Sequence, residues 1–475
     1  MQTNRRDFRH TKIICTLGPA SSQSDMIENM AKAGMNIARL NMSHGDHDSH
    51  LLSIRRIRSL NRTLNHPVAI LLDLKGPEIR TGEVHGADLN LKVGEIYTVT
   101  VVPSTNTEEQ SIHIDYRDMI SHLKVGDRIT VDNGLINLQV LEMREHDLRC
   151  KVLDGGTLGS RKHINLPGVR VNLPGVTEKD KVDIRFGLEH DVDFIALSFV
   201  RNAEAVLEAR KIVDDAEGHA RIIAKIENQE GVDNFDSILQ VADGIMIARG
   251  DLGVEVDFSE LPVMQREMTR KCVVAGKPVI VATHLLESMI HNPMPTRAEV
   301  SDVANAVYEE ADAVMLSGET ASGKHPARCV QVMDKIVRRM EKVDSIGSHL
   351  QRRPQNTREE LARSACRLAD AIGSPAIVVV TRRGILGQLV ASFHPRRAII
   401  YAFTNMSTTR RKLWLNRSVV PFKMDFSNDP EKTVIAAFDK LRKRSRVLPG
   451  DQVVVVSDVV AGDDRVAAIQ VRVFE

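Results

Sequence analysis

The chain has 475 residues, 42% of them hydrophobic and 27% charged, an ordinary globular composition long enough for two to four domains. No run of 18 or more apolar residues occurs, so no membrane-spanning helix is expected. The net charge of +1 hides an asymmetry: from residue 346 onward Lys and Arg exceed Asp and Glu by about ten, leaving the rest about nine negative, which points to separate domains and an anionic ligand for the basic one.

The N-terminal MQTNRRDFRH is polar and basic and lacks the apolar stretch of a secretory signal. Short apolar runs follow, each trailed by an amphipathic segment: KIICTLG (12–18), MNIARLN (35–41) and VAILLDLKG (68–76). The rhythm then breaks for about 125 residues. Between 75 and 171, EIYTVTVV, DRITVDNGLINLQVLEM and LRCKVLD alternate apolar and polar residues between Gly and Asp turns. They predict a β-rich inserted domain, closed by the hinge-like INLPGVRVNLPGV. The runs resume with DFIALSF (193–199), RIIAKIE (221–227), GIMIARGDLG (244–253), PVIVATHLL (278–286) and AVMLSGET (313–320). Near-continuous apolar strands alternating with helical patterns argue for a parallel sheet covered on both faces. Eight of them, mostly about 23 to 35 residues apart, predict an α/β fold with a (β/α)8 barrel, a doubly wound sheet being the structural alternative. An insertion after a barrel strand lies at the C-terminal rim, where it can serve as a lid.

After the polar linker SIGSHLQRRPQN the pattern changes. AIVVVTRR, AIIYAFTN, VVPFKMD, DQVVVVSD and VAAIQVRVF alternate with helical stretches such as DPEKTVIAAFDKLRKR, predicting a separate small α/β domain. The expected division is 1–74 and 172–345 for the barrel, 75–171 for the lid and 346–475 for the C-terminal domain. Cys15, Cys150, Cys272, Cys329 and Cys366 form no CxxC pair, which reads as reduced thiols in a cytosolic protein. Nucleic acid, the obvious anionic partner of a basic domain, is disfavoured by scarce aromatics and the lack of a recognisable binding motif.

Polar residues collect where the barrel runs end. Lys225 and Glu227 are two apart on one strand and so share a face, although burying either charge alone costs several kcal/mol. Arg39, Asn41, Ser43 and His44 follow the second run, and Asp73, Lys75, Glu78 and Arg80 the third. Arg249, Gly250 and Asp251 end the sixth, Thr283 and His284 the seventh, Ser317 and Glu319 the eighth. In a barrel these ends meet at one rim. Glu227 and Asp251 offer hard oxygen ligands for Mg²⁺, Lys225 and Arg39 are cations suited to phosphate, and the ARGDLG turn offers backbone N–H groups near a helix start. A metal, a Lys and an Arg around one phosphate are the parts of phosphoryl transfer. Thr296–Glu299 reads as a helix capping box, and Met35, Met246 and Met315 as core filler.

KIICTLGPAS, ARLNMSHG, LDLKGPEIRTG, IIAKIENQEG, MIARGDLGVEV, HNPMPTRAEVSDVANAV and DAVMLSGETASGKHP together resemble the motifs of the pyruvate kinase family, in family order over roughly the first 345 residues. The resemblance implies a barrel, a β lid and a C-terminal regulatory domain in a cytoplasmic homotetramer. It also implies transfer of the phosphoryl group of phosphoenolpyruvate to ADP, giving pyruvate and ATP. By the same resemblance, Lys225 would stabilise the phosphoryl group in flight, and Glu227 and Asp251 would bind Mg²⁺ or Mn²⁺. Asn41, Ser43, Asp73 and the Leu74 carbonyl would hold K⁺. Arg39 and Arg80 would contact phosphates, with His44 and Lys179 near the nucleotide. Gly250, Asp251 and Thr283 would receive the substrate carboxylate, Thr283 being also linked to enolate protonation, with Ser317 and Glu319 in a polar network behind. Glu78 stands where Glu accompanies potassium dependence and Lys independence.

Two residues depart from the family pattern: His284 stands in place of the usual Gln and Asn133 in place of a second Asp. Members activated by fructose 1,6-bisphosphate have a Ser/Thr/Gly-rich loop after the first strand of the last domain. Here TRRGILGQ (381–388) keeps Thr381 and Gly384 but carries Arg382 and Arg383, and the terminal SDVVAGDDRVAAIQVRVF lacks a Gly–Thr–Thr run. Weak or no response to that bisphosphate is expected. Two readings of Thr381, Arg382 and Arg383 stand: a site for a different anionic effector such as a sugar monophosphate, or arginines that solvate the surface or pair across a subunit interface. Rival functions are another Mg²⁺ barrel enzyme handling enolates and a catalytically silent sugar-phosphate sensor. The lid and monovalent-cation set argue against the first, and intact Lys225, Glu227 and Asp251 against the second.

Overall fold

The computed structural model describes residues 9–64, 66–84, 88–102, 111–443, 447–461 and 464–475. Most of the N-terminal decapeptide, and Gly462 and Asp463 of the terminal segment, lie outside these residues. Eight parallel strands, Lys12–Leu17, Ile37–Asn41, Ala69–Asp73, Phe194–Leu197, Arg221–Ile226, Gly244–Ala248, Val279–Ala282 and Ala313–Leu316, close in chain order into a barrel, the first pairing with the eighth. Closure rules out the doubly wound alternative.

Strand alternation explains the wall. Ile14, Ile37, Leu71, Ala196, Ile223, Met246, Ala282 and Met315 belong to one buried cluster, and their immediate neighbours Cys15, Ala38, Leu72, Leu197, Ala224, Ile247, Val281 and Leu316 to another that includes the surrounding helices. The first set fills the barrel and the second packs under the helices, as the two-residue period requires. Met35, Met246 and Met315 are all buried in apolar surroundings. Thr296 caps the helix Arg297–Tyr308 in a reciprocal box with Glu299.

Between the third and fourth barrel strands the chain forms a seven-stranded sheet in the order Ile79–Arg80, His163–Asn165, Arg128–Val131, Ile136–Met143, Asp147–Asp154, Ile96–Thr100, Ser111–His113. It has a core of its own, with Val99, Ile129, Val140 and Cys150 fully buried. After the barrel comes a five-stranded sheet ordered Val419–Lys423, Ile399–Thr404, Ala376–Val380, Gln452–Ala461, Asp464–Val473, parallel except for its last strand. Among the described residues no helix is long and apolar enough to cross a membrane.

The last domain meets the barrel at its N-terminal end, opposite the rim. Arg411 binds Asp193 and Asp191, each at 2.6 Å, at the entry to the fourth barrel strand. Lys12, the first residue of the first strand, donates to the Val419 carbonyl at 2.8 Å and lies 5.1 Å from the Trp414 ring. Burial, with Arg9 and Arg417 nearby, pushes this ammonium down to about 7. An unfolded Lys titrates near 10.4, so between about pH 7 and 10 the unfolded chain holds the extra proton and stability rises with pH. The expected outcome is that the parent gains stability relative to Lys12→Met by roughly 1 kcal/mol per pH unit above neutrality. Urea midpoints of both chains at pH values of about 6.5 to 8.5 check this; a constant difference contradicts it.

Candidate functional site

The inward-facing period runs one step past the apolar filling. Two residues beyond Ile14, Ile37, Leu71, Ala196 and Ile223 stand Thr16, Arg39, Asp73, Ser198 and Lys225, a polar layer at the C-terminal rim. Asp73 has no exposed surface and accepts from Arg39 Nε at 2.5 Å, with Lys225 Nζ at 3.0 Å from its other oxygen. Lys225 Nζ also donates to Ser198 Oγ at 2.6 Å and lies 3.0 Å from Glu227 Oε1. Arg39 Nη1 donates to Thr16 Oγ1 at 2.9 Å. The opposite charges of Lys225 and Glu227 thus pair directly, with Asp73 and Arg39 extending the cluster.

Burial shapes the titration of this cluster, and the neighbours decide its direction. For Asp73 burial alone would raise the carboxyl, but Arg39 and Lys225 hold it below the usual range. For Lys225 burial would lower the ammonium, but Asp73 and Glu227 raise it. Glu227 is pushed up to about 7, by burial first and also by Asp251, against the pull of Lys225. A carboxyl raised in part by a second carboxylate suits a divalent cation, since Lys225 is shared between Glu227 and Asp73 and leaves the carboxylates short of positive charge.

The sixth and seventh strand ends form a second group. The Gly250 N–H donates to Thr283 Oγ1 at 2.6 Å, and that hydroxyl donates to the Ala282 carbonyl at 2.6 Å. Arg249 is turned away from this group: it binds Asp302 at 2.6 Å and the Thr283 carbonyl at 2.7 Å. Thr283 and His284 have φ of 67° and 54°, a left-handed backbone that a β-branched residue adopts only under constraint. Glu319, fully buried, accepts the N–H groups of Leu286 at 3.0 Å and Ser317 at 2.7 Å, tying the seventh and eighth loops together. The Ser317 hydroxyl is buried without a partner among the described residues.

The monovalent-cation residues sit at adjoining strand ends, where Asn41 and Asp73 are register partners. Asn41 Oδ1 accepts from Ser43 N at 3.2 Å, and the Leu74 carbonyl accepts from Ser198 Oγ at 2.7 Å. Carbonyl, amide, hydroxyl and carboxylate oxygens are the hard donors such an ion takes. Lys179 lies beside the second loop, donating to the Met42 carbonyl at 3.1 Å and Asp183 at 2.5 Å, while the His44 carbonyl accepts from His50 at 2.8 Å. Arg80, at the base of the lid, pairs with Glu78 at 2.6 Å, and Lys75 lies 3.6 Å from the same carboxylate.

Sequence reasoning missed several participants. Ser198 bridges Lys225 and the Leu74 carbonyl, and continuing the two-residue period of DFIALSF would have found it. Phe199, at φ 52°, aims its N–H at Glu227 Oε2 at 2.7 Å. From the lid, His163 Nδ1 reaches within 3.8 Å of Asp251, and Asn165 donates to Glu255 at 2.7 Å. Asn133 occupies a left-handed position, φ 57°, in the turn Asp132–Gly134 of the lid. Thr381, Arg382 and Arg383 lie apart from all of these, in the C-terminal domain. Thr381 Oγ1 accepts from Gly384 N at 3.1 Å, the Arg382 carbonyl accepts from Thr404 at 2.9 Å, and both arginines are exposed.

Comparison with known proteins matches residues 8–330 to the family model described as pyruvate kinase, barrel domain, and residues 359–470 to pyruvate kinase, alpha/beta domain. The chain is 42% identical to a pyruvate kinase of Geobacillus stearothermophilus over 96% of its own length and 78% of that protein. It is 41% identical to a pyruvate kinase of Dictyostelium discoideum over 97% of its length and 94% of that protein, and 41% identical to plastidial pyruvate kinase 2 of Arabidopsis thaliana over 94% and 78%. The crystal structure of a pyruvate kinase from Cryptosporidium parvum superposes with a TM-score of 0.93 at 36% identity, covering 98% of this chain and 96% of that one.

Proposed function

The chain belongs to the pyruvate kinase family, and from that premise we propose how its own rim residues divide the work. It is a phosphotransferase that carries the phosphoryl group of phosphoenolpyruvate to ADP, giving pyruvate and ATP. The observation that carries the assignment of roles is Lys225, a buried cation fixed at a strand end by Asp73, Ser198 and Glu227.

Lys225 remains protonated, because Asp73 and Glu227 outweigh the burial that would lower it. It therefore serves as a fixed positive charge for the phosphoryl group between enol oxygen and nucleotide, a role that needs position rather than proton transfer. Arg39, anchored on Asp73 and Thr16, contacts phosphate as a second fixed cation. Glu227 and Asp251 are the residues that hold Mg²⁺ or Mn²⁺; when bound, the ion neutralises phosphate charge. Asn41, Ser43, Asp73 and the Leu74 carbonyl hold K⁺. Gly250, Asp251 and Thr283 receive the substrate carboxylate: the Gly250 N–H, now spent on Thr283, becomes its donor when that short contact opens. The Thr283 O–H, donated here to the Ala282 carbonyl, is the group placed to act in protonating the enolate once it turns from that carbonyl. His44, Lys179 and Arg80 line the nucleotide side, and the lid, touching the barrel through His163 and Asn165, excludes water.

The division 1–74, 75–171, 172–345 and 346–475 into barrel, lid, barrel and C-terminal domain is part of the same proposal, as are a cytoplasmic location and a homotetramer, the latter supported by exposed Phe258 and Val263. The C-terminal domain is read as regulatory, with Thr381, Arg382 and Arg383 as the effector residues.

Lys225→Met is expected to leave the fold and Mn²⁺ binding in place while lowering ADP-dependent pyruvate formation by about a thousandfold or more. A coupled assay beside Mn²⁺ relaxation measurements checks this, and turnover within about tenfold of the parent removes Lys225 from the mechanism. Activity is expected to rise strongly with K⁺, and Glu78→Lys to reduce that requirement by supplying the missing positive charge. Full parent activity with only a bulky organic counter-ion contradicts the potassium assignment. Titrating phosphoenolpyruvate with each effector should show little change in KM with fructose 1,6-bisphosphate and a lowered KM with a sugar monophosphate that Arg382→Ala weakens. A large response to micromolar bisphosphate overturns the reading of the loop, and silence to every sugar phosphate leaves these arginines as surface groups.

A further inference from the structure

A second cluster of ligating side chains lies at the opposite end of the barrel. Glu310 precedes the eighth barrel strand, His349 belongs to the single turn Ser348–Gln351 of the linker, and His394 follows the helix Ile385–Ala391 of the C-terminal domain. One carboxylate oxygen and one nitrogen of each ring lie within 4.8 Å of one another. Glu310 and His394 are 1% and 7% exposed. Glu310 Oε1 accepts from His349 Nδ1 and Ser345 Oγ, each at 2.5 Å, and Oε2 accepts the His349 N–H at 3.0 Å. The two imidazoles stack, centroids 5.5 Å apart at 11°. His394 Nδ1 is buried and has no hydrogen-bond partner among the described residues, the feature that a hydrogen-bonded junction alone leaves unexplained.

We propose that Glu310, His349 and His394 form a site for a divalent transition cation of the zinc class, joining the barrel, the linker and the C-terminal domain. Two imidazoles and a carboxylate with an open fourth position are a zinc donor set. Metal–donor lengths of about 2.0–2.2 Å place tetrahedral donors about 3.4 Å apart, so the wider separations must close by up to about 1.4 Å, His349 Nδ1 and Glu310 Oε1 must part from 2.5 Å, and the metal replaces the proton between them. His349, with a side chain 21% exposed, provides the way in, and water completes the coordination. Protonation suits ligation: burial, aided by Arg417, pushes His394 down to about 3, leaving a neutral ring. Burial would raise Glu310, but the side-chain bonds from His349 and Ser345 hold it below the usual range, leaving a carboxylate. Arg417 is the opposing charge, and it is engaged with Thr11 at 2.5 Å. None of these residues belongs to the rim, so the site stands apart from the proposed catalytic roles.

Co²⁺ is the probe, added to the chelator-treated full chain with excess Mg²⁺ to occupy the rim carboxylates. The parent is expected to bind one Co²⁺ with the intense visible bands of tetrahedral nitrogen–oxygen coordination, which Zn²⁺ displaces. His349→Gln keeps a hydrogen-bond donor for Glu310, and His394→Phe keeps the stacked ring; both should lose the bands and bind Co²⁺ at least about tenfold more weakly. Circular dichroism establishes that each variant is folded. No band in the parent, or a band that survives in either folded variant, overturns the site and leaves the cluster as a hydrogen-bonded junction.

Discussion

Asp73 is a carboxylate with no exposed surface held between two cations, and the rim is organised around it. The barrel beneath this polar layer is filled by buried Ile, Leu, Met and Ala side chains and Phe194. Arg39 and Lys225 point into that layer because strand alternation leaves them no other direction. Each then needs a counter-charge, and Asp73 serves both. Removing one member of a buried ion pair costs about 3–5 kcal/mol, because the partner stays buried and uncompensated. Here the loss would leave Arg39 without its carboxylate and Lys225 with Glu227 alone. The same carboxylate therefore fixes Arg39 and Lys225 and balances their charge, and Ser198 extends its hold to the Leu74 carbonyl.

Backbone strain also marks the strand ends around this centre. Phe199, Thr283 and His284 all take left-handed backbone conformations at strand ends, each of which costs about 1–3 kcal/mol. Every one lies next to a bond that fixes it. The Phe199 N–H is spent on Glu227, and the Thr283 hydroxyl and carbonyl are both engaged, with Gly250 and Arg249. Glu319 fastens the loops behind by taking two backbone N–H groups. Phe199 turns its backbone donor onto Glu227 and Thr283 its carbonyl onto Arg249, and the residues that fasten these loops, Glu227, Arg249 and Glu319, are buried.

Legibility in the sequence followed the range of the interaction. The eight barrel strands could be read because each is a local apolar run, and the inserted sheet because its alternation is local too. Lys225 and Glu227 stood out because two charges two residues apart in an apolar strand demand a partner. The capping box at Thr296 needed only four consecutive residues. Ser198 was hidden because Ser is unremarkable at the end of a strand and gains meaning only from Lys225, 27 residues on. His163 and Asn165 belong to a lid strand whose docking on the barrel has no local sign. Glu310, His349 and His394 come from three parts of the chain, and only the closed fold brings their ligand atoms together.

The two ends of the barrel are joined by the same strands. Lys12, bound to the C-terminal domain at the base, begins the strand that carries Thr16, which holds Arg39. Asp193, bound to Arg411, accepts the Ile70 N–H and introduces the strand that leads to Ser198, which holds Lys225. At about 3.3 Å per residue, each path from base to rim is one strand long. A packed strand transmits position but has no second state of its own, and coupling between distant sites requires an element with two arrangements. In this molecule such an element must sit at the ends of the strands, among the ion pairs and histidines of the base or in the lid above, because the close-packed barrel wall between them has no room to change.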